Sequence, residues 1–344
     1  MGQHHQCVCS FVPPFVLQNL AKNGISGARE SVKVAKETRA KRGRTPVSIA
    51  TFAGVPSTPT GDSEREIWDS GNSWDQRVSL VRSEGAPTTV DDDVSIAYDY
   101  SGVVREFYRT ILARRSIDNA GLKLITNVHF GASYMNAFWD GDEMTYGDGD
   151  GVIFTSFARS LDVSAHELTH GVTQFTANLD YEGQPGALNE HFSDVFGSAI
   201  TQYHNKQDAG SADWLIGDEI MGPTLFGEAL RSMRAPGTAY DNHLMGQDPQ
   251  PDHMSNYFTG PEDHYGVHIN SGIPNKAFYL AATSIGTDKA LLIWYQALQK
   301  LWPTANFADA VQVLIESART LVKTKQVPLG STQVVRSAFK AVGL

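Results

Sequence analysis

The stretch DVSAHELTHGVTQ, residues 162–174, places His166 and His170 four positions apart, with Glu167 directly behind the first histidine. On an α-helix, residues four apart lie on one face about one turn from each other, so both imidazoles can aim a ring nitrogen at a single ion. Zinc prefers imidazole nitrogen in a tetrahedral shell, and a catalytic site combines three protein ligands with a water. Glu167 would then stand beside the ion, where a carboxylate can take a proton from that water. The plainer reading is two imidazoles sharing the face of an ordinary buried helix, and a third ligand decides between the two. Downstream, GALNEHFSD at 186–194 has helical character and offers Glu190, with Asp194 one turn further along the same face. Glu190 completes a two-histidine, one-glutamate shell. Asp194 can accept the other ring N–H of a ligand histidine and fix its tautomer.

Outward from this stretch the chain changes character. From Glu66 to about Phe157, short apolar runs alternate with turn signals (REIWDSGN, GLKLITNVHF, NAFWDGDEMTYGDGDG, GVIFTSF), predicting mostly strands and one helix around Asp99 to Arg115. After Asp162, helical periodicity dominates, as in GALNEHFSDVFGSAITQYH and LLIWYQALQKLW. The 344 residues suffice for about two domains with separate cores. The expected organisation is a leader and linker at 1–50, its end falling between 45 and 60, a β-rich domain at 51–185 that includes the histidine helix, and an α-helical domain at 186–344. The fold class is α+β, with a cleft at the junction of the two domains.

Charge and composition exclude several classes. Hydrophobic residues make up 41% and charged ones 19%, and no apolar run reaches the roughly 18 to 20 residues of a membrane span. The net charge of -10 opposes nucleic-acid binding. That charge is unevenly spread: residues 1–50 carry eight Lys or Arg against two acidic residues, a leader of about +6 on a body of about -16, so the two can attract each other. The helix-compatible ARESVKVAKETRAKR of the leader is followed by the linker-like GRTPVSIATFAGVPSTPTGDS. Both cysteines, Cys7 and Cys9, lie in the leader, so disulfides do not hold the body together. The N-terminus lacks the charged and apolar regions of a secretory signal peptide. The protein is expected to leave the cell by another route, or to stay in the cytoplasm as a precursor.

HELTH at 166–170, GALNEHFSD at 186–194, NAFWDGDEMTYGDGDG at 136–151, LRSM at 230–233 and GVHINSGIPNKAFYL at 266–280 together resemble the thermolysin-like zinc metallopeptidases of the M4 family. The leader, with Pro13, Pro14 and Phe15, resembles the short propeptides of the protealysin-like subgroup. The resemblance implies a neutral endopeptidase with zinc ligands His166, His170 and Glu190, and with Glu167 as general base. It also implies that Asp194 orients His166 and Asn189 supports His170. Tyr181 and His268 match the pair that stabilises the oxyanion, and Asp263 would hold His268 by its other nitrogen. Arg231 matches the residue that holds the substrate backbone after the scissile bond, a role its two-pronged donor suits. Asn136 and the carbonyl of Ala137 match the edge-strand acceptors for substrate N–H groups, a strand-addition mode of peptide binding.

Phe154, Phe157, Val163 and Leu230 match the family's main pocket, and their apolar character implies cleavage before Leu, Phe or similar bulky residues. Asp162, Asp213 and Asp218 can supply the oxygen ligands that Ca²⁺ prefers, but Thr201 and Leu215 stand where the family's two-ion site has carboxylates, so fewer calcium ions than in thermolysin are expected. Asp162 could equally cap the histidine helix. The expected partners are peptide and protein substrates and the chain's own propeptide in cis, with room for a separate protein inhibitor; the expected state is a monomer. The leader is expected to cover the cleft through the Pro-Pro-Phe element, with Val47, Ile49, Phe52 and Val55 of the linker suiting the pocket, and to be removed by the enzyme itself. A Cys9 thiolate on the zinc is a second way to block it. A zinc-stabilised binding protein and a zinc hydrolase of other substrates are the competing readings; the competent catalytic set weighs against the first, and the substrate-backbone set against the second.

Overall fold

The computed structural model describes residues 9–42 and 64–344, with side chains placed for 10–35 and 64–344. Cys7, the Cys9 side chain, Val47, Ile49, Phe52, Val55 and the leader boundary near residue 50 lie outside these described residues. The leader forms a two-residue strand β1 (Cys9–Ser10) and two helices, α1 (Pro14–Lys22) and α2 (Ser26–Arg42). Pro13 precedes α1 and Pro14 opens it, where a fixed φ and a missing N–H carry no penalty.

Strands β2 (Arg65–Asp69) and β3 (Ser79–Ser83) are followed by helix α3 (Asp92–Leu112). This helix starts seven residues earlier than the sequence pattern predicts. Asp91 caps it, accepting the N–H groups of Asp93 and Val94, so the acidic run that reads as a turn is the helix's first turn. Strands β4 (Leu124–Val128), β5 (Ala137–Trp139) and β6 (Met144–Tyr146) complete a six-stranded mixed sheet in the order β1-β5-β6-β4-β2-β3. One edge of that sheet is therefore closed by the leader, whose Cys9 and Ser10 pair antiparallel with Trp139 and Phe138. GVIFTSF is not a strand. Asp150 accepts the N–H groups of Val152 and Ile153, bending the chain, and only Phe154 makes a bridge, to Met221.

Two long helices then run through the centre of the molecule. α4 (Leu161–Gln174) is buried from Leu161 to Thr173, and α5 (Gly183–His204) is buried over most of its length. A helix enclosed on every side must satisfy its polar side chains internally. Their close approach depends on Gly197: a Cβ there would come within 3.2 Å of the Asp162 carbonyl oxygen and 3.7 Å of His166 Cβ. A short antiparallel pair, β7 (Leu215–Ile216) and β8 (Arg231–Ser232), sets Arg231 opposite Ile216, and a small ribbon of β9 (Asp241–Asn242) and β10 (Gly246–Gln247) follows. Helices α6 (Glu262–Asn270), α7 (Gly272–Ile285), α8 (Thr287–Leu298), α9 (Phe307–Lys323) and α10 (Ser331–Ala341) form the helical second half.

Candidate metal centre and substrate cleft

His166 and His170 on α4 and Glu190 on α5 meet as their spacing requires. Their ligand atoms lie within 4.8 Å of one another, and none of the three residues is more than 2% exposed. The two imidazole Nε2 atoms face each other at 3.0 Å, and each lies 3.4 Å from a Glu190 oxygen. Glu190 Oε2 and Glu167 Oε1 are buried without a hydrogen-bond partner. Leaving such atoms unsatisfied costs roughly 1–3 kcal/mol each or more, whereas one divalent cation would satisfy Glu190 and the two imidazoles. The donor set therefore fits zinc. Burial pushes Glu167 up to about 8, only partly offset by His166 and the Trp139 N–H, and a cation beside it would favour the carboxylate form.

Each of the two histidines is held from behind. His166 Nδ1 pairs with Asp194 Oδ1 at 2.9 Å and His170 Nδ1 with Asn189 Oδ1 at 2.8 Å. Asp194 also accepts from Arg231 Nε and Nη2, both at 2.9 Å, and from Asn275 Nδ2 at 2.9 Å. Burial alone would raise this carboxyl, but the Arg231 charge and the His166 contact outweigh it and hold it at about 2. One carboxylate thus holds His166 of the candidate metal centre and Arg231 together.

His268 owes its place to an unusual backbone. Asp263, His264, Tyr265 and Gly266 all take left-handed φ values of 52–78°, which cost about 1 kcal/mol or more for each non-glycine residue. The turn brings Asp263 onto His268 twice, to its backbone N–H at 2.8 Å and its Nδ1 at 2.6 Å. His268 Nε2 then faces the cleft, 3.3 Å from the Tyr181 hydroxyl, which itself donates to Glu190.

The leader occupies this cleft in extended form. The Phe11 N–H donates to the Ala137 carbonyl at 3.1 Å and Arg231 Nη1 donates to the Phe11 carbonyl at 3.2 Å. Asn136 closes a two-bond ring with Val12, accepting its N–H at 2.8 Å and donating to its carbonyl at 3.2 Å. The Ser10 carbonyl lies 3.1 Å from His268 Nε2. The fully buried Phe11 ring sits edge-on to His166 at 5.1 Å and 5.0 Å from the Arg231 guanidinium. Its pocket requires Gly217, whose φ is +75°, because a Cβ there would meet Phe11 Cε1 at 2.9 Å and Leu230 at 3.1 Å. Phe154, Phe157, Val163 and Leu230 are buried in the same apolar cluster.

The expectation about the leader therefore shifts by a few residues. Pro13, Pro14 and Phe15 end the extended run and start α1, with Phe15 only partly buried, and Phe11 fills the pocket. A signal existed: residues ahead of proline are biased to extended backbone, so CSFV before Pro13-Pro14 was a strand-like segment with one large apolar side chain. Asn275 and the Trp139 N–H, which donates to Glu167 Oε2 at 2.8 Å, also escape sequence reasoning, because only the tertiary fold brings them to the site.

The candidate calcium residues gather at the start of α4. Asp162 does not cap the helix: Ser160 holds that position, and Asp162 accepts from the Ser160 hydroxyl and from the Gly217 N–H at 2.6 Å. Asp213, Asp218, Glu219, Thr201 and Leu215 line the adjoining cavity. Burial and the Asp162 and Asp213 charges push Asp218 up to about 7, and Glu219 is raised by burial and Asp162. These carboxylates do not converge as tightly as the His166, His170 and Glu190 set; among the described residues the other group that does is Asp93, His129 and Asp148.

A buried two-histidine, one-glutamate centre with a carboxylate beside it that keeps one oxygen unpartnered, and with an extended peptide across it, defines a metal-dependent peptidase site. Residues 29–174 match the family model described as thermolysin metallopeptidase, catalytic domain, and residues 177–344 match thermolysin metallopeptidase, alpha-helical domain. An extracellular metalloprotease of Pectobacterium carotovorum subsp. carotovorum is 45% identical, over 98% of this chain and 96% of that one. Protease PrtS of Photorhabdus sp. (strain Az29) is 40% identical over 90% of this chain and 86% of that one. The precursor of protealysin, a metalloproteinase from Serratia proteamaculans, superposes with a TM-score of 0.85 at 41% identity, covering 97% of this chain and 99% of that one. The chain belongs to the thermolysin (M4) family of metallopeptidases, in its protealysin-like branch. It is a two-domain α+β zinc endopeptidase carrying a propeptide. Among the described residues no helix is long and apolar enough to cross a membrane.

Proposed function

We propose that the mature enzyme cleaves peptide bonds on the amino side of bulky apolar residues, with Glu167 as general base, and that the leader inhibits the precursor by lying in the cleft as a substrate would. The observation that carries this reading is the hydrogen-bond register of Phe11 and Val12 on Ala137, Asn136 and Arg231, with the Phe11 ring in the apolar pocket. A substrate with Leu or Phe at that position makes the same contacts, which align its preceding carbonyl with His268. His166, His170 and Glu190 would hold the zinc, which would supply Lewis acidity toward the water and the scissile carbonyl. Glu167 accepts the water's proton and delivers it to the leaving nitrogen, which lies on the same side of the cleft as Ala137. His268, fixed by Asp263, and Tyr181 donate to the carbonyl oxygen as negative charge develops on it.

The test is an internally quenched peptide with Gly-Leu at its centre. Leader-free protein should cut before Leu, and the cut should disappear with a zinc chelator and fall by at least about a thousandfold in Glu167→Ala. Zinc-loaded, leader-free protein that cuts no peptide would overturn the reading. We further propose a single calcium at Asp162, Asp213 and Asp218, supported by the raised Asp218 and by the buried, unpartnered Thr201 hydroxyl lining the same cavity. We also propose that the enzyme acts outside the cell, which the named extracellular relative supports, and that it is a monomer.

A further inference from the structure

We propose that the Ser10–Phe11 bond is cut by the chain's own active site, producing a nicked precursor whose leader remains docked. This rests on the peptidase reading above. A segment that merely blocks a cleft has no need to present a bond to the chemistry, and this one does. The carbonyl facing His268 Nε2 is that of Ser10, so the bond in line for hydrolysis is the one to Phe11. Its nitrogen is held by the Ala137 carbonyl, and the next carbonyl by Arg231. Glu167 reaches the strand that pairs with Cys9 and Ser10, its Oε2 accepting the Trp139 N–H while Oε1 stays buried and unpartnered, and Phe11 is the kind of side chain expected just after a cleaved bond.

The step balances as an ordinary hydrolysis. Water oxygen bonds to the Ser10 carbonyl carbon while Glu167 takes a water proton. The C–N bond to Phe11 breaks, and Glu167 returns the proton to the Phe11 nitrogen. The second water proton passes from the new carboxyl group to the nitrogen, so the products are a Ser10 carboxylate and a Phe11 ammonium group. Phe11 is fully buried in its own cleft, so a second molecule cannot reach the bond.

Cutting here does not free the enzyme, because the anchors lie on the far side of the bond. Val12 remains paired with Asn136, and Val16, Leu17 and Leu20 of α1 remain buried. Asn19 and Asn23 still donate to the carbonyls of Met245 at 2.8 Å and His243 at 2.9 Å, and Ser31 Oγ accepts the Met135 N–H at 2.9 Å. The fragment beginning at Phe11 is thus a retained product on the leaving-group side of the cleft. Full activity then waits for a second cut beyond α2.

Intact mass and N-terminal sequencing of the purified, zinc-loaded full chain over time test this. The first new terminus should be Phe11, formed at a rate unchanged by tenfold dilution and absent in Glu167→Ala. Phe11→Leu should still be cut, and Phe11→Asp should slow the cut by at least about tenfold. Hydrogen exchange on zinc-free Glu167→Ala reads the register without catalysis: the Phe11 and Val12 amides should be protected. A first cut beyond α2 that releases a leader with Ser10–Phe11 intact would overturn the proposal, as would nicking that accelerates with concentration or rapid exchange at those two amides. If leader-free enzyme cuts an added peptide while Ser10–Phe11 survives, this inference alone falls. If it cuts no peptide, the peptidase reading falls with it.

Discussion

Asp162 and His166 are one turn apart on α4, yet the acidic groups around them behave in opposite ways. Around His166, burial raises Glu167 and would raise Glu190 and Asp194, but for these two, which pair with the ring, the charges of His268, His170 and Arg231 and the contacts to His166 outweigh it; Glu190 lies well below the usual range and Asp194 at about 2. Around Asp162, burial and mutual repulsion win, and Asp162, Asp218 and Glu219 are all raised. The residue types are the same; the difference is the supply of positive charge. The first cluster carries fixed cationic partners from β8 and α6. The second has hydroxyl and backbone N–H donors, and Arg231 is only a weak influence on Asp162. A cluster of the second kind invites an external cation.

The largest effect should come from removing the carboxylate that serves two partners. Asp194→Asn leaves the buried Arg231 guanidinium without its counter-charge and weakens the hold on His166. The expected losses are about 3–5 kcal/mol of stability and about 10–100-fold in zinc affinity or activity. Thermal melts and competition with a chromogenic chelator measure them. A variant with wild-type zinc affinity would show that His166 needs no help from Asp194.

The acidic cluster should respond more mildly and with the opposite sign. Asp218 has a folded pKa of about 7, above its ordinary value, so folding favours its protonated form. In calcium-free protein this group's contribution is therefore most favourable at low pH and is lost as pH rises from about 4 through 7. Calcium should reverse that loss. Melts at pH 7.5 should rise by several degrees with millimolar Ca²⁺ and much less at pH 5. Asp218→Asn should stabilise the calcium-free chain at pH 7.5 while blunting its calcium response. If Ca²⁺ raises the melting temperature of wild type and variant equally, the ion binds elsewhere.

How far each cluster is legible in the sequence follows from the same geometry. His166, His170, Glu190 and Asp194 lie on two helices, where spacing alone fixes which side chains share a face; Asn189 comes only from the family resemblance, and the structure brings all five together. Asp263 and His268 are five apart, and a left-handed turn with three non-glycine residues joins them, a conformation no propensity predicts. Arg231 depends on a two-residue strand pair, and its link to Asp194 crosses 37 positions. Phe11 is hidden for another reason. The Pro-Pro-Phe element marks the end of the inserted segment, and the residue that enters the pocket precedes it. The start of α3 and the loss of the expected strand at GVIFTSF both turn on aspartate side chains that take backbone N–H groups, at Asp91 and Asp150.

His129 offers a third arrangement and the smallest expected effect. It bridges Asp148 through Nδ1 at 2.9 Å and Asp91 through Nε2 at 3.0 Å, while neighbouring Asp93 is taken by Arg159 at 2.5 Å. The Asp148 hydrogen bond, only partly opposed by burial, pushes the imidazole up to about 9, so here the compensating cation is a proton. A folded pKa above the unfolded one means that the stabilisation is fully present below about pH 6.5 and lost as pH rises through about 9. The partners are partly exposed, so the contribution should be on the order of 1–2 kcal/mol after solvent screening. Urea unfolding at pH 7 and pH 10, with His129→Gln as control, should show the wild type losing stability at the higher pH by more than the variant. The comparison with the two α4 clusters then has a quantitative form. Salt should weaken the exposed His129 bridge, leave the buried Asp194–Arg231 pair nearly unchanged, and not substitute for calcium at Asp218. A His129 contribution that persists unchanged to pH 10 would mean that hydrogen bonds to a neutral ring hold α3 to the sheet, with no part played by charge.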